Sequence, residues 1–94
     1  MNHDTRYQAN PVVSCGNEED GAVLYNPDTD NTSVVNLSGR ELWIFLRIPR
    51  TTDEIVAYLV QTYRNVSIDQ ATTDVALFIE TLSPDFLQEL NDAN

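Results

Sequence analysis

The sequence predicts a single α+β domain: a three-stranded antiparallel meander followed by three helices and a short C-terminal helix. Two observations lead to this. The first half alternates short β-favouring runs with turn-rich segments, and the second half shows a helical apolar period. In addition, an S/T-x-x-E/Q capping pattern occurs three times, each just ahead of an apolar helical run. Strands followed by helices give segregated layers, and a sheet this small must pack on the helices.

The elements follow in order. Residues 1–10 are polar and are expected to form a flexible N-terminal tail. Pro11-Val12-Val13-Ser14-Cys15 reads as a strand, and the glycine-bounded "GNEEDG" as a turn. "AVLYN", from Ala22, is a second strand; "PDTDN" is a turn in which Pro27 fixes φ and the Asp and Asn side chains close the loop. "TSVVNL", Thr32 to Leu37, is the third strand.

Ser38-Gly39-Arg40-Glu41 is the first capping box, with Ser38 as N-cap and Leu37 and Leu42 at hydrophobic-staple spacing. The first helix is expected from Gly39 to Leu46, burying Leu42, Trp43 and Leu46. Pro49 breaks it. Thr51-Thr52-Asp53-Glu54 opens the second helix, with Ile55, Val56, Leu59, Val60 and Tyr63 at helical spacing. Ser67-Ile68-Asp69-Gln70 opens the third, whose inward face holds Ile68, Ala71, Val75, Phe78, Ile79 and Leu82. Ser83-Pro84 stops that helix and starts a short one through Phe86, Leu87 and Leu90. The domain is expected over residues 11–90, with 91–94 disordered.

At 94 residues the chain allows one small domain. Its net charge is −10, with no lysine and five arginines. Phosphate neutralisation dominates nucleic-acid affinity, so this charge argues against DNA or RNA as a partner, and against anionic membranes. It favours a neutral or basic partner. No apolar run approaches a membrane span, and the N-terminus lacks a signal-peptide pattern, so a cytoplasmic location is the expectation.

Catalytic chemistry is poorly supplied. Cys15 is the only cysteine and His3 the only histidine, which excludes an internal disulfide and a zinc site of protein ligands. Cys15 reads as a small apolar strand residue. Glu18, Glu19 and Asp20 fall in a turn, and Asp53 and Glu54 in a helical first turn where they complement the dipole. Asp28 and Asp30 have calcium-loop spacing but lack the Gly and the final Glu. With few general acid–base candidates, the expectation is a non-enzyme with no metal and no cofactor. Trp43, Phe45, Tyr58, Tyr63, Phe78 and Phe86 read mainly as core.

What remains is surface without an assigned role. The third strand ends the meander, so one of its edges lacks a partner. Val34 and Val35 are adjacent, so one must point away from the core. Asp74, Leu77 and Thr81 form a stripe on the third helix beside its core face. An open edge next to such a stripe suggests a groove for β-strand addition, with a peptide pairing to the edge.

The junction "VVNLSGRELW", Val34 to Trp43, resembles the strand-to-helix junction of the PqqD-like proteins, an L-N-x-T-G-x-x-I-W type of pattern. Asn36, Ser38, Gly39, Leu42 and Trp43 fall on it, with Ser for Thr and Leu for Ile. "TTDEIVAYLVQTY" is similar to the family's T-v-x-E-I-x-x-x-L-x-x-x-Y helix, and "VALFIETL" to its V-x-x-F-L-x-x-L helix. The likeness spans roughly Val12 to Leu90. It departs at Leu37 (usually polar), at Val35 (often Leu) and at the C-terminal "SPDFLQEL", which leaves the subfamily open.

The resemblance implies a winged helix-turn-helix-like domain acting as a peptide recognition element. Such a domain binds the leader of a ribosomally made precursor and presents it to a modifying enzyme, often a radical SAM enzyme. The implied contact residues are Ser33, Val34, Val35 and Asn36 on the third strand and Asp74, Leu77, Phe78 and Thr81 on the third helix. Two other readings stay open: a lasso-peptide-type recognition protein whose partner is a leader peptidase, and a helix-turn-helix regulator, which the negative charge disfavours.

Overall fold

The computed structural model describes residues 5–91. The strands are β1 (Thr5–Ala9), β2 (Ser14–Glu18), β3 (Gly21–Asn26), β4 (Asn31–Asn36), β5 (Arg50–Thr51) and β6 (Leu87–Asn91); the helices are α1 (Leu37–Phe45), α2 (Thr52–Thr62) and α3 (Ile68–Leu82). They form two antiparallel sheets, ordered β2-β3-β4 and β5-β1-β6. The expected meander is the sheet β2-β3-β4, but its first strand comes later than expected: β2 is Ser14–Glu18 in place of Pro11–Cys15, so Gly16 to Glu18, expected in a turn, pair with β3. No described helix is long and apolar enough to cross a membrane.

Two expectations are corrected at the ends of the chain. Thr5–Ala9, placed in a flexible tail, is strand β1. It pairs with β6 from Thr5↔Asn91 to Ala9↔Leu87 and with β5 through Arg6↔Thr51 and Tyr7↔Arg50. Leu87–Asn91, expected to continue a short helix as far as Leu90, is strand β6. Asn10, also placed in that tail, donates its N–H to the Phe86 carbonyl, and residues 1–4 and 92–94 lie outside the described residues. The reason is tertiary: backbone N–H and C=O groups need partners, and two chain ends that meet can supply each other's. Leu87 is also fully buried and Ala9 nearly so, which anchors the pairing to the core.

Asn26 ties the meander to the turn that precedes β6. It is 3% exposed, and its Nδ2 donates to the Asp85 carbonyl while its Oδ1 accepts from the N–H of Asp28 and of Thr29. A buried amide needs all of these partners. Asn10 Nδ2 donates to the same Asp85 carbonyl at 3.3 Å.

The core lies between the meander and the helices. It contains Leu24, Leu42, Trp43, Leu46, Ile55, Leu59, Ala71, Val75, Leu82, Phe86 and Leu87. The three residues expected inward on the first helix are all buried. Ile68 departs from expectation: it is 65% exposed, because it is the first residue of α3 and precedes the turn that meets the core.

Thr51 and Glu54 form the capping box of α2 as expected, with Thr51 Oγ1 accepting from Glu54 N–H and Glu54 Oε1 from Thr51 N–H. Ser67 caps α3 through Gln70 N–H, but the Gln70 side chain turns to Asp74 instead of completing a box. The first helix begins earlier than its spacing suggested. Its N-cap is Asn36, whose Oδ1 accepts from Gly39 N–H at 2.8 Å and from the Ser38 hydroxyl at 3.1 Å. Leu37 is consequently the first helical residue and 48% exposed, so it is not a staple.

Candidate functional site

The junction of β4 and α1 is held by close backbone approach. A Cβ at Gly21 would lie 1.9 Å from the Val35 carbonyl oxygen, and one at Gly39 would lie 2.9 Å from Val35 Cβ. Two glycines thus let β3 and α1 close on Val35 from either side, where any side chain would wedge them apart. Arg40, on the first turn of α1, donates to the carbonyls of Glu18 and Gly21 and fastens the helix to the β2–β3 turn. The end of β4 is rigidly placed as a result, which is what a backbone-reading edge requires.

β4 pairs with β3 from Gly21↔Asn36 to Asn26↔Asn31, and its other edge has no strand partner among the described residues. Val34 is 77% exposed, while Val35 packs partly against the core, as their adjacency required. On β3, Val35 stands opposite Ala22 and Val34 opposite Val23.

An open groove of about 850 Å³ runs along this edge. All eight residues expected at the site line it: Ser33, Val34, Val35 and Asn36 from β4, and Asp74, Leu77, Phe78 and Thr81 from α3. Leu77 is 59% exposed, Phe78 is half-buried against the core, and Asp74 and Thr81 are exposed. Asp74 Oδ1 accepts from Gln70 Nε2, one helical turn earlier, at 2.8 Å.

The groove also holds residues not anticipated as site residues. Leu42, Leu59 and Leu82 form part of its lining, Tyr63 and Val66 come from the end of α2 and the loop after it, Leu37 from the start of α1 and Asp20 from the β2–β3 turn. The Tyr63 phenol is raised above its ordinary value, first by burial and then by the nearby Glu41 carboxylate and Tyr58. The neutral phenol is thereby favoured. The only signal for Leu37 was an apolar residue left at the strand–helix junction, and for Tyr63 an aromatic at the last position of an apolar helical period.

The site is therefore an apolar trough with one polypeptide edge and a few polar groups. Such a trough suits an extended peptide: the edge offers main-chain hydrogen bonds and the walls accept alternate side chains. No His, Cys, Lys or Arg is among the residues that line it. Among the described residues, no three His, Cys, Asp or Glu side chains converge as a metal site would require.

This architecture defines a class: small meander-plus-three-helix domains with an open strand edge facing a helix. The chain belongs to the coenzyme PQQ synthesis protein D (PqqD) family, whose pattern matches residues 21–83 and so covers β3, β4 and all three helices. A solved structure, TbiB1 in complex with the TbiA(beta) leader peptide, shares the fold with a TM-score of 0.70. The two are 21% identical, and the match covers 81% of this chain and 87% of that one. No curated protein sequence matches the chain.

Proposed function

We propose that this chain recognises the leader segment of a ribosomally synthesised precursor peptide. The leader adds as an antiparallel strand to β4 and lies in the groove against α3, and the chain presents it to a modifying enzyme without itself being a catalyst. One observation above all supports this reading: the edge of β4 that has no strand partner among the described residues and the exposed Leu77 of α3 line a common trough. Membership of the PqqD family supports it, as does the shared fold with a protein solved bound to a leader peptide.

The enzyme partner that the family suggests is a radical SAM enzyme, with a leader peptidase as the alternative. A regulator role fits less well, since the net charge of −10 repels nucleic acid. Reconstitution distinguishes the enzyme partners. The chain, its precursor and either enzyme are combined, and modification or leader removal is followed by mass spectrometry. The reading expects the chain to accelerate one of the two reactions and to do nothing on its own. Precursor modification by the isolated chain would refute the non-catalytic role.

A further inference from the structure

The outward face of β4 carries an apolar residue that packing leaves bare. Val34 is 77% exposed, the most of any large apolar residue among those described. Alternation along a strand sends Ser33 and Val35 to one face and Val34 to the other. The register agrees. Ser33 and Val35 stand opposite the buried Leu24 and Ala22, whereas Val34 stands opposite the half-buried Val23. Beyond Val23 the same row reaches Gly16, where an added Cβ would meet nothing closer than the Val23 carbonyl oxygen at 3.9 Å. The outward row is therefore Gly16–Val23–Val34, bare at one end and open at the β4 edge at the other.

A single exposed valine is ordinary on a protein surface. This one stands on a strand edge, and such edges are normally guarded against stray pairing by a charge, a proline or a bulge. Asn31 to Asn36 contains no charged residue and no proline. Nor does it bulge, since it pairs with β3 residue for residue from Gly21↔Asn36 to Asn26↔Asn31. The neighbours of Val34 on the outward face of β4, Thr32 and Asn36, are uncharged as well.

A strand added to β4 sends alternate side chains to this outward face, and one of them falls directly beside Val34. We propose that the leader is read on both of its faces: alternate residues enter the trough against α3, and the residue that pairs with Val34 on the opposite face is apolar, either β-branched or aromatic. That residue extends the Val23–Val34 row by one member, as cross-strand pairs of this kind stabilise a sheet. The leader is the occupant because the outward row is continuous with the groove edge: the strand that fills the groove brings its own side chain to Val34. The inference rests on leader recognition by strand addition, and adds to it a preference outside the trough.

The test uses the isotope-labelled full chain and a synthetic leader from the precursor encoded beside it. Methyl NOEs from Val34 identify the leader residue next to it, and anisotropy gives Kd for a double-mutant cycle. Val34→Thr keeps the shape and β-branching of an exposed residue, so the fold is retained. It is expected to raise Kd about two- to fivefold, the range of cross-strand pairs. Replacing the identified leader residue by Thr should do the same, and the two changes together should lose less than the product of the separate losses. NOEs from Val34 to a polar or charged leader residue, or to none while β4 amides become protected, overturn the proposal. So do losses that simply multiply. Self-association of the wild type in sedimentation, abolished by Val34→Thr, would assign the valine to a second copy and overturn it too. A leader that does not bind refutes the function proposed above, and one that binds without protecting β4 amides refutes strand addition; the inference falls with either, and each is read separately from the Val34 cycle.

Discussion

Leu77→Asp separates binding from folding, because Leu77 lines the groove and is 59% exposed. Fully burying a leucine side chain contributes about 1.5–3 kcal/mol. Leu77 is 59% exposed, so folding has realised only the smaller part of that. The variant should lose about 1 kcal/mol of stability from burial, plus a few tenths from helix propensity and from like charge beside Asp74 and Glu80. A leader covering the exposed part would supply roughly 1–2 kcal/mol, which is about 5- to 30-fold in Kd. An aspartate there adds the desolvation of a carboxylate, so a loss of at least about tenfold is expected. Leu77→Ala controls for the new charge and should lose less. Anisotropy with a labelled leader gives Kd, and thermal unfolding gives Tm, which should fall by no more than about 10 °C. A Kd within twofold of wild type would refute the placement of Leu77 against the peptide. A collapse of Tm would show that Leu77 belongs to the core.

Other outcomes follow from the same structure. Trp43→Ala removes a side chain only 2% exposed and should cost about 3–5 kcal/mol, with Tm and leader affinity falling together; an unchanged Tm with lost binding would move Trp43 into the site. Val34→Pro replaces a 77% exposed edge residue, removes a backbone donor and fixes φ, so leader affinity should drop while a weakened fold survives in circular dichroism. The acidic surface should favour a leader with neutral or basic residues around its anchors; tighter binding at low salt is the expected sign, and weaker binding at low salt would contradict it. Tyr7 and Tyr63 are both raised above the ordinary tyrosine value of 10.0, chiefly by burial. The folded state then holds these protons more tightly, so stability present below pH 10 should decline as pH rises through their folded values, and Tyr63→Phe should soften that decline in alkaline denaturation.

The helices were legible because their signals are local. Thr51 with Glu54 and Ser67 with Gln70 lie within one turn of what they cap, so spacing alone located α2 and α3. The start of α1 was ambiguous because Asn36 and Ser38 are comparably good caps; Asn36 prevailed where its Oδ1 could reach Gly39. Strands β1 and β6 were illegible for the opposite reason. "TRYQA" and "LQELN" have little strand character, and their pairing joins residues some eighty positions apart, so context overrode propensity. The groove stands between these cases. Val34 beside Val35, and Leu77 off the core stripe, placed strand edge and helix on one surface. The approach of Tyr63, Val66 and Asp20 depends on how α2 and the β2–β3 turn dock, which no local pattern encodes.

Strand addition at β4 is the central claim, and amide NMR titration of the full chain with its cognate leader tests it most directly. Paired main-chain groups should shift and gain protection from hydrogen exchange at Ser33 to Leu37, with a second cluster of shifts from Asp74 to Thr81. Thr52 to Tyr63 should stay largely silent, with Leu59 and Tyr63 responding only through their place in the groove wall. Shifts centred on α2 or on the Gly16 to Gly21 segment, with β4 amides unmoved, would contradict the account.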